Sequence, residues 1–328
     1  MRSASYTYLS EDEWNERILK IDAVATSCQL CPRRCRVNRL IGEKGFCAAP
    51  AEMIISSIFP HHGEEPPISG ENGSGTVFFS YCTLKCCFCQ NYQISHEHEG
   101  KPCSIEEMAE KMLHLQKLGC HNINLVTATH FLPWVVKALK IAAKKGLNLP
   151  IVYNCGGYEL SSTISLLSGI VDIYLPDMKY GVENAATEYS GAPDYVQINR
   201  EAIREMFRQT GPLCLYSNGT AWRGLCIRHL VLPGNFESSR LICEFLCSVF
   251  DPEDISISLM AQYTPLYKAN QFEPLRDTLS LESYSIIINQ FISAGFSGYY
   301  QEFEQLDKSF LINFKSHKDK PLTGHSEE

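Results

Sequence analysis

The stretch TVFFSYCTLKCCFCQN at residues 76–91 decides which fold and which chemistry this chain predicts. Its first five residues, 76–80, form an apolar run of strand length. Directly after this run, Cys82, Cys86 and Cys89 stand in a C-x3-C-x2-C pattern. Barrel enzymes build their active sites in the loops at the carboxyl ends of their strands. The stretch therefore predicts a buried strand that leads into a cysteine-lined site.

The number of cysteines in this loop indicates what kind of metal site it forms. Ferredoxin-type sites supply four cysteines and close a 4Fe–4S cluster for electron transfer. A local set of three leaves one iron open to bind another molecule. Cys87 adjoins Cys86 and competes with it for the middle ligand position. The alternatives are a zinc knuckle or three buried free thiols.

At these residues the sequence resembles the radical S-adenosylmethionine (SAM) superfamily. The resemblance implies a 4Fe–4S cluster on Cys82, Cys86 and Cys89, whose open iron binds the amino and carboxylate groups of SAM. It also implies that one electron from the cluster cleaves SAM to methionine and a 5′-deoxyadenosyl radical. Phe88 occupies the position where the family usually has an aromatic residue near the adenine.

Composition narrows the class of protein. The chain has 328 residues, a net charge of −8 and 45% hydrophobic residues, so we expect one large globular domain and no nucleic-acid surface. The first ten residues lack the apolar region of a secretory signal, and no run of about 18 apolar residues predicts a membrane span. The 15 cysteines are then expected to be reduced thiols or metal ligands in a reducing cytoplasm.

Strands and helices alternate after residue 71, which predicts a parallel α/β sheet. The predicted strands are 76–80, 123–126, 150–153, 170–175, 227–232 and 255–259. The predicted helices are 11–24, 105–118, 132–145, 199–209, 239–250 and 281–294. This alternation fits a doubly wound open sheet as well as a partial (β/α)6 TIM-like barrel, and the family resemblance favours the barrel.

We divide the chain into three parts. Residues 1–70 form a cysteine-rich N-terminal metal-binding segment, irregular apart from one helix, that ends in a linker over 61–70. Residues 71–305 form the radical SAM core. Residues 306–328 form a polar C-terminal tail, which we expect to be disordered from His317.

The N-terminal part carries a second group of cysteines. Cys28, Cys31, Cys35 and Cys47 have the spacing of one four-thiolate site, which fits zinc or a second iron–sulfur cluster. Gly42 and Gly45 allow the chain to fold back and bring Cys47 to the other three. The alternative is a set of ordinary structural thiols.

Polar residues follow the second and third predicted strands. In the superfamily a Gly-Gly-Glu run after the second strand often holds the SAM amino group, and here Thr127, Thr129 and His130 would replace it. His130 is alternatively a residue at a helix start with an internally bonded ring. After the third strand, the Asn154-Cys-Gly-Gly run would let the backbone approach SAM closely or would simply form a turn.

The later strand ends resemble those of glycyl radical activating enzymes. Their Asp-x-Lys motif contacts SAM, and Asp177-Met-Lys179 resembles it. Lys179 would pair with the methionine carboxylate, and Asp177 would accept a proton from an amino or hydroxyl group. The alternative for this pair is a solvated salt bridge. Arg228 begins a run that resembles their Arg-x-x-Val-x-Pro-Gly motif, and Gln262 would reach the nucleoside.

Taken together, the motifs over residues 28–265 resemble a PflX-type subgroup of pyruvate formate-lyase activating enzyme homologues, in which the cysteine-rich segment precedes the barrel. The resemblance implies a radical SAM oxidoreductase that takes hydrogen from a substrate, such as a glycine of a partner enzyme, and a flavodoxin- or ferredoxin-like reductant. Two other classes stay open: an iron–sulfur electron-transfer protein and a zinc-structured interaction module.

Overall fold

The computed structural model describes residues 3–303, 306 and 311–317 of the chain. The strands are β1 (Met53–His61), β2 (Ser74–Phe79), β3 (Lys101–Cys103), β4 (Ile123–Val126), β5 (Ile151–Cys155), β6 (Ile173–Pro176), β7 (Cys214–Leu215), β8 (Ala221–Leu230), β9 (Ser256–Met260) and β10 (Ser297–Tyr300). The helices are α1 (Glu11–Thr26), α2 (Pro66–Ser69), α3 (Tyr92–Ser95), α4 (Ile105–Lys117), α5 (Leu132–Lys144), α6 (Ser161–Leu166), α7 (Glu183–Ser190), α8 (Tyr195–Thr210), α9 (Phe236–Val249), α10 (Leu281–Ser293) and α11 (Phe314–His317).

The order of the strands settles the fold class. The sheet runs β10-β9-β8-β6-β5-β4-β2-β1-β3, so the parallel strands lie side by side in the order in which they follow along the chain. A doubly wound sheet would reverse its order at a switch point. The sheet is therefore singly wound, like a barrel. Within the described part of the chain its two outer strands, β10 and β3, do not pair, so the barrel is partial and open, as predicted.

All six predicted strands are present, and the structure adds others. β10 extends the parallel set along β9, and its sequence Ser297-Gly-Tyr-Tyr300 has no aliphatic run that would predict a strand. β1 pairs antiparallel with β2 and with β3. The prediction that residues 1–70 are irregular beyond one helix is therefore wrong, because strand pairing with β2 organises residues 53–61.

The predicted linker at 61–70 is also a packed element. Within it, α2 buries Ile68 completely against Val152 and Ile173 of the sheet. Burial of one such side chain stabilises the fold by about 1.5–3 kcal/mol. The sequence GEEPP suggested a solvated connection, but its two glutamates enter the barrel, as described below.

Capping residues and apolar spacing in the sequence predicted α4 correctly. The Ser104 hydroxyl accepts the Glu107 backbone N–H at 3.0 Å and caps α4, and Gly119, at φ +86°, follows its end. The helix buries Met108, Met112 and Leu115, as its spacing predicts. In the part of the chain that the structure describes, no helix has both the length and the apolar character needed to cross a membrane.

Part of the predicted C-terminal tail packs on the sheet. Phe314 is fully buried, and its ring meets Phe78 of β2 edge-on at 5.2 Å. The Phe314 backbone N–H donates to the Gln93 side chain at 2.9 Å, which ties α11 to α3. The disorder predicted beyond His317 concerns residues 318–328, which lie outside the described residues.

Candidate active site

A cavity of about 660 Å³ opens at the carboxyl edge of the sheet. Its walls come from the cysteine loop, from the ends of the parallel strands and from the connection between β1 and β2. Ile312, near α11, closes one side. This volume lies in the range of small-molecule and cofactor sites.

Three cysteines of the β2–α3 loop line this cavity. They are Cys82, Cys86 and Cys89, whereas Cys87 does not line it. The Cys87 backbone is tied away from the cavity, because its N–H donates to the Tyr189 carbonyl and its own carbonyl accepts the Lys268 N–H, both at 2.8 Å. The geometry therefore favours Cys86 over Cys87 as the middle ligand.

Hydrogen-bond donors reach these sulfurs from the surrounding loop. Ser190 donates its hydroxyl to Cys86 Sγ at 3.0 Å, and the Leu84 N–H lies 3.4 Å from Cys82 Sγ. Burial raises the pKa of Cys82 to about 12 and that of Cys89 to about 11. Without a metal these two thiols are therefore protonated at neutral pH, and a bound metal would have to displace their protons.

The positions of the three sulfurs show whether they already meet at a single metal position. Among the described residues, no three Cys, His, Asp or Glu side chains converge on a point where a single metal ion could bind them. Besides burial, the charges of Cys86 and Cys89 raise the pKa of Cys82, and the charge of Cys86 raises that of Cys89, so the three thiols are neighbours. Cysteine thiolates are ligands of iron–sulfur clusters as well as of zinc, so the chemistry of these side chains fits a cluster.

A buried ionic network lies beside the cysteines. Arg228 Nε donates to Asp177 at 2.9 Å, its Nη1 lies 3.2 Å from Glu64, and its Nη2 donates to Asn154 at 2.7 Å. Lys179 Nζ lies 2.5 Å from the other Asp177 oxygen. The solvated salt bridge considered for Asp177 and Lys179 does not describe this pair, because both side chains are more than four-fifths buried.

The charges of this network follow from its contacts. Burial would raise the pKa of Asp177, but Arg228 and Lys179 outweigh it and hold that pKa below its ordinary value. Burial would lower the pKa of Lys179, but Asp177 and then Cys86 raise it. Lys179 is therefore a charged ammonium with three donors, one of which is used by Asp177, next to the cysteines.

Replacing Arg228 by methionine tests whether this network holds the site together. The change leaves Asp177 and Glu64 buried without their partner, so we expect a loss of about 3–5 kcal/mol in the free energy of unfolding. Denaturant titration of the metal-free protein measures it. The matched control is Arg240→Met, which breaks exposed pairs with Glu237 and Glu244 and should cost less than about 1 kcal/mol. Equal losses in both variants would contradict the structural role of Arg228.

Other predicted site residues also reach the cavity. Phe88, Thr127, Asn154 and Gln262 line it together with the cysteines and the ionic network. Phe88 is held edge-on between Tyr180 and Tyr263, with ring centroids at 6.4 and 6.1 Å. The predicted residues therefore converge from the carboxyl ends of six strands, β2, β4, β5, β6, β8 and β9.

Two predicted residues do not reach the cavity. The Thr129 hydroxyl donates to Glu159 at 2.7 Å behind the sheet, and His130 Nε2 bonds to the Ser80 carbonyl at 2.8 Å. Burial lowers the pKa of His130 to about 3, so the ring is neutral. His130 is thus the internally bonded residue that the sequence left as an alternative, and neither side chain is placed to replace the Gly-Gly-Glu run.

The sequence interpretation missed several residues that line the cavity. Glu64 accepts from Asn124 at 2.9 Å and from Asn154 at 3.1 Å inside the barrel. Glu65 is buried with one carboxylate oxygen unpartnered, and burial raises its pKa. Two adjacent acids before Pro66 were the available signal, but only the packing of α2 shows that they face the barrel interior.

Backbone strain marks two of the loops that line the cavity. Tyr81 has φ +69° and Thr127 has φ +60°, and both residues line the cavity just beyond the ends of β2 and β4. For a β-branched residue such as threonine this conformation is an outlier, at a cost of about 1–3 kcal/mol. Such strain persists where the surrounding structure determines the loop, which is common at functional sites.

The four N-terminal cysteines lie together next to the cysteine loop of the cavity. Cys28, Cys31 and Cys47 are buried, and Cys35 is half-buried. Burial raises the pKa of Cys28, and the charge of Arg39 opposes this effect. The segment docks through Arg33, whose guanidinium donates to the carbonyl of Thr83, between Cys82 and Cys86, at 3.0 Å.

Fold and site together define the class: an open, singly wound α/β barrel whose cavity is lined by the three cysteines of the β2–α3 loop and, from β5, by Cys155. The chain belongs to the family of the uncharacterized protein MJ0674 of Methanocaldococcus jannaschii. The two are 30% identical over 267 residues, which cover 78% of this chain and 71% of that protein. No family model matches the sequence.

Solved structures show distant likenesses. They include native anSMEcpe with bound AdoMet (TM-score 0.46, 12% identity, 71% of this chain and 64% of that one). The maturase HydG of the [FeFe]-hydrogenase gives a TM-score of 0.46 at 12% identity, over 70% of this chain and 51% of that one. Methylornithine synthase (PylB) gives a TM-score of 0.43 at 14% identity, over 90% of this chain and 80% of that one. The chain spans less than two thirds of the first two, and at these TM-scores the likenesses carry no argument about this protein.

Proposed function

We propose that this protein is a radical SAM enzyme, in which a 4Fe–4S cluster and SAM share the cavity. The observation that carries the proposal is a wall with three cysteines, Cys82, Cys86 and Cys89, beside the buried ammonium of Lys179. These residues would hold the cluster and the methionine end of SAM. When bound and reduced, the cluster would supply the electron that cleaves SAM to methionine and a 5′-deoxyadenosyl radical.

Lys179 is the residue that we assign to the methionine carboxylate. Its charge acts on Cys89, whose pKa it lowers against the larger effect of burial, so the ammonium lies close to the cysteines. Asp177 holds the ammonium by an ion pair, and Arg228 in turn holds Asp177. A charged donor fixed in a buried wall binds a carboxylate without first losing side-chain freedom.

The nucleoside end of SAM would lie against the other predicted site residues that line the cavity. Phe88 offers an aromatic surface for the adenine, while Thr127, Asn154 and Gln262 offer hydrogen-bonding groups around it. Ile312, which precedes α11, adds an apolar side chain to the cavity wall.

We further propose a substrate and a reductant for this enzyme. The Asp177-Met-Lys179 run and the Arg228–Gly234 run resemble those of glycyl radical activating enzymes, which supports an activating oxidoreductase that takes hydrogen from a glycine of a partner enzyme. The reductant would be a flavodoxin- or ferredoxin-like carrier. A reducing cytoplasm would suit so many free thiols.

Reductive cleavage of SAM tests the proposed function without knowledge of the substrate. Protein reconstituted anaerobically with iron and sulfide is mixed with SAM and dithionite, and 5′-deoxyadenosine and methionine are quantified by chromatography. We expect both products in equal amounts, and none without reductant. A cluster-loaded protein that neither binds nor cleaves SAM would instead support an electron-transfer protein, and a protein that takes up only zinc would support an interaction module.

A further inference from the structure

The N-terminal cysteine segment, residues 28–47, lies outside the cavity and has no part in the function proposed above. A backbone N–H reaches one of its sulfurs: Phe46 donates to Cys35 Sγ at 3.1 Å. Hydrogen bonds of this kind are strongest to a charged acceptor.

The same loop is strained and closely packed. Arg34, Arg36 and Ala48 all have left-handed backbones, at φ +41°, +58° and +60°, which non-glycine residues adopt only when their surroundings impose it. A Cβ at Gly45 would stand 2.7 Å from the Cys35 Cβ and 2.8 Å from its sulfur. Only glycine therefore allows the chain to come this close and bring Cys47 back to the group, as the sequence predicted.

A buried positive charge beside this loop lacks a counterion. Arg39 is 1% exposed, and its guanidinium donates to the carbonyls of Ala49, Pro50 and His130, while its Nε has no partner. No carboxylate in the described part of the chain forms an ion pair with it. An unpaired buried charge is strongly unfavourable, and four protonated thiols would not neutralise it.

A metal group bound by four thiolates would supply the missing negative charge. Four thiolates outweigh the positive charge of either a zinc ion or an iron–sulfur core. Both groups accept four thiolates, but zinc has no redox chemistry. A group beside the cysteine loop of the cavity could exchange electrons with it only as an iron–sulfur cluster, so the position of the segment favours a cluster.

The segment is joined directly to the cysteine loop of the cavity. Arg33, which lies between Cys31 and Cys35, donates to the Gly191 carbonyl at 2.6 Å as well as to Thr83. It also approaches the carbonyl of Ser190 at 3.5 Å, and the hydroxyl of Ser190 donates to Cys86 Sγ. A short chain of hydrogen bonds thus links the two cysteine groups.

The outer face of the segment differs in charge from the whole protein. Three basic residues, Arg34, Arg36 and Lys44, and one acidic residue, Glu43, are exposed in it, together with Ile41 at 73% and Phe46 at 41% exposure. The chain as a whole carries a net charge of −8. A basic and apolar patch on an acidic protein favours a partner with an acidic surface.

We infer that residues 28–47 bind an iron–sulfur cluster through Cys28, Cys31, Cys35 and Cys47, and that electrons enter the enzyme there from a small acidic one-electron carrier. The carrier is oxidised as the N-terminal cluster is reduced, and the same electron then passes to the cavity cluster, which returns the N-terminal cluster to its oxidised state. Only this last transfer rests on the proposed function.

Metal analysis tests the cluster independently of SAM cleavage. The triple variant Cys82→Ala, Cys86→Ala, Cys89→Ala, reconstituted anaerobically, should retain one cluster of about four irons with matching sulfide. Adding either Cys31→Ala or Cys47→Ala should abolish this iron, whereas adding Cys243→Ala, a buried cysteine outside both groups, should not. Circular dichroism confirms folding. A folded triple variant that holds no iron, or holds zinc instead, would overturn the inference.

Substitutions of Arg39 test whether its charge stabilises the bound cluster. In the triple variant, Arg39→Met should speed loss of the cluster to a chelator about tenfold, while Arg39→Lys, which keeps the charge, should lose it at nearly the original rate. In the metal-free protein, Arg39→Met removes an unpaired charge but also leaves the carbonyls of Ala49, Pro50 and His130 without this donor, so its stability is measured separately by denaturant titration. Cluster loss at an unchanged rate in Arg39→Met would show that Arg39 does not balance a metal site.

Reduction kinetics test electron entry. The variant Arg34→Glu, Arg36→Glu, Lys44→Glu should be reduced by an acidic flavodoxin about tenfold or more slowly at low salt, measured as bleaching of the cluster absorbance, and at an unchanged rate by dithionite. The control, Lys117→Glu, Lys144→Glu, Lys145→Glu, makes the same change of charge on α4 and α5. If both variants slow equally, this face is not the entry point, whatever the outcome of the SAM assay.

Discussion

The Cys86→Ala variant is expected to form no 5′-deoxyadenosine from SAM, whereas Cys87→Ala should retain most of the activity. The two residues are adjacent and both are buried, but only Cys86 lines the cavity and receives the Ser190 hydroxyl. Loss of Cys86 would remove one of the three ligands that hold the cluster. The measurement is the amount of 5′-deoxyadenosine formed by anaerobically reconstituted protein with SAM and dithionite.

Iron content and absorbance of the same samples separate ligand loss from misfolding. Cys87→Ala should bind as much iron as the parent protein, since its sulfur lies away from the cavity, and Cys86→Ala should bind less. The opposite result, an inactive Cys87→Ala beside an active Cys86→Ala, would show that the ligand register proposed for this loop is wrong.

Lys179→Ala is expected to keep the cluster absorbance and to weaken SAM binding about tenfold to hundredfold. The reason is the loss of one charge-assisted hydrogen bond to the methionine carboxylate, worth about 1.5–3 kcal/mol. Calorimetric titration of the cluster-loaded protein with SAM measures the affinity directly. It does not depend on reductant or on an unknown substrate.

The matched control for Lys179 is Lys85→Ala. Lys85 belongs to the cysteine loop, but it does not line the cavity, so its removal should leave the affinity for SAM nearly unchanged. If Lys179→Ala binds SAM as tightly as the parent protein, the role of Lys179 is confined to its ion pair with Asp177.

Local patterns predicted the elements of the barrel well where the apolar period was clear. The β2 run and the helix after Ser104 are examples, because each buries a continuous face that the spacing of its residues defines. β10 was missed because its four residues contain two tyrosines, a serine and a glycine and owe their strand conformation to pairing with β9. β1 was missed although its sequence, MIISSIFPH, contains apolar residues typical of a strand; its antiparallel partners, β2 and β3, lie farther along the chain.

Some residues of the candidate site could likewise be predicted from the sequence, and others could not. The cysteine triplet, Asp177, Lys179 and Arg228 could be selected from the sequence, because each lies in a motif at or just beyond the carboxyl end of a strand and parallel strands end at one edge. Thr129 and His130 also follow a strand, but their side chains bond to other protein groups and do not line the cavity. A position in a loop specifies which edge a residue occupies, and it does not specify the direction of the side chain.

The sequence by itself therefore determined the six central parallel strands with most of the helices between them, the residues able to bind metal and their approximate meeting place, because these depend on local period and short spacing. Only the tertiary structure decided that Cys86 rather than Cys87 faces the cavity, that Glu64 and Glu65 enter the barrel and that Arg39 is buried beside the N-terminal cysteines without a counterion. Those features depend on contacts between segments far apart in the chain. Packing and the cost of burying charge determine these features, and neither can be read from the local spacing of residues.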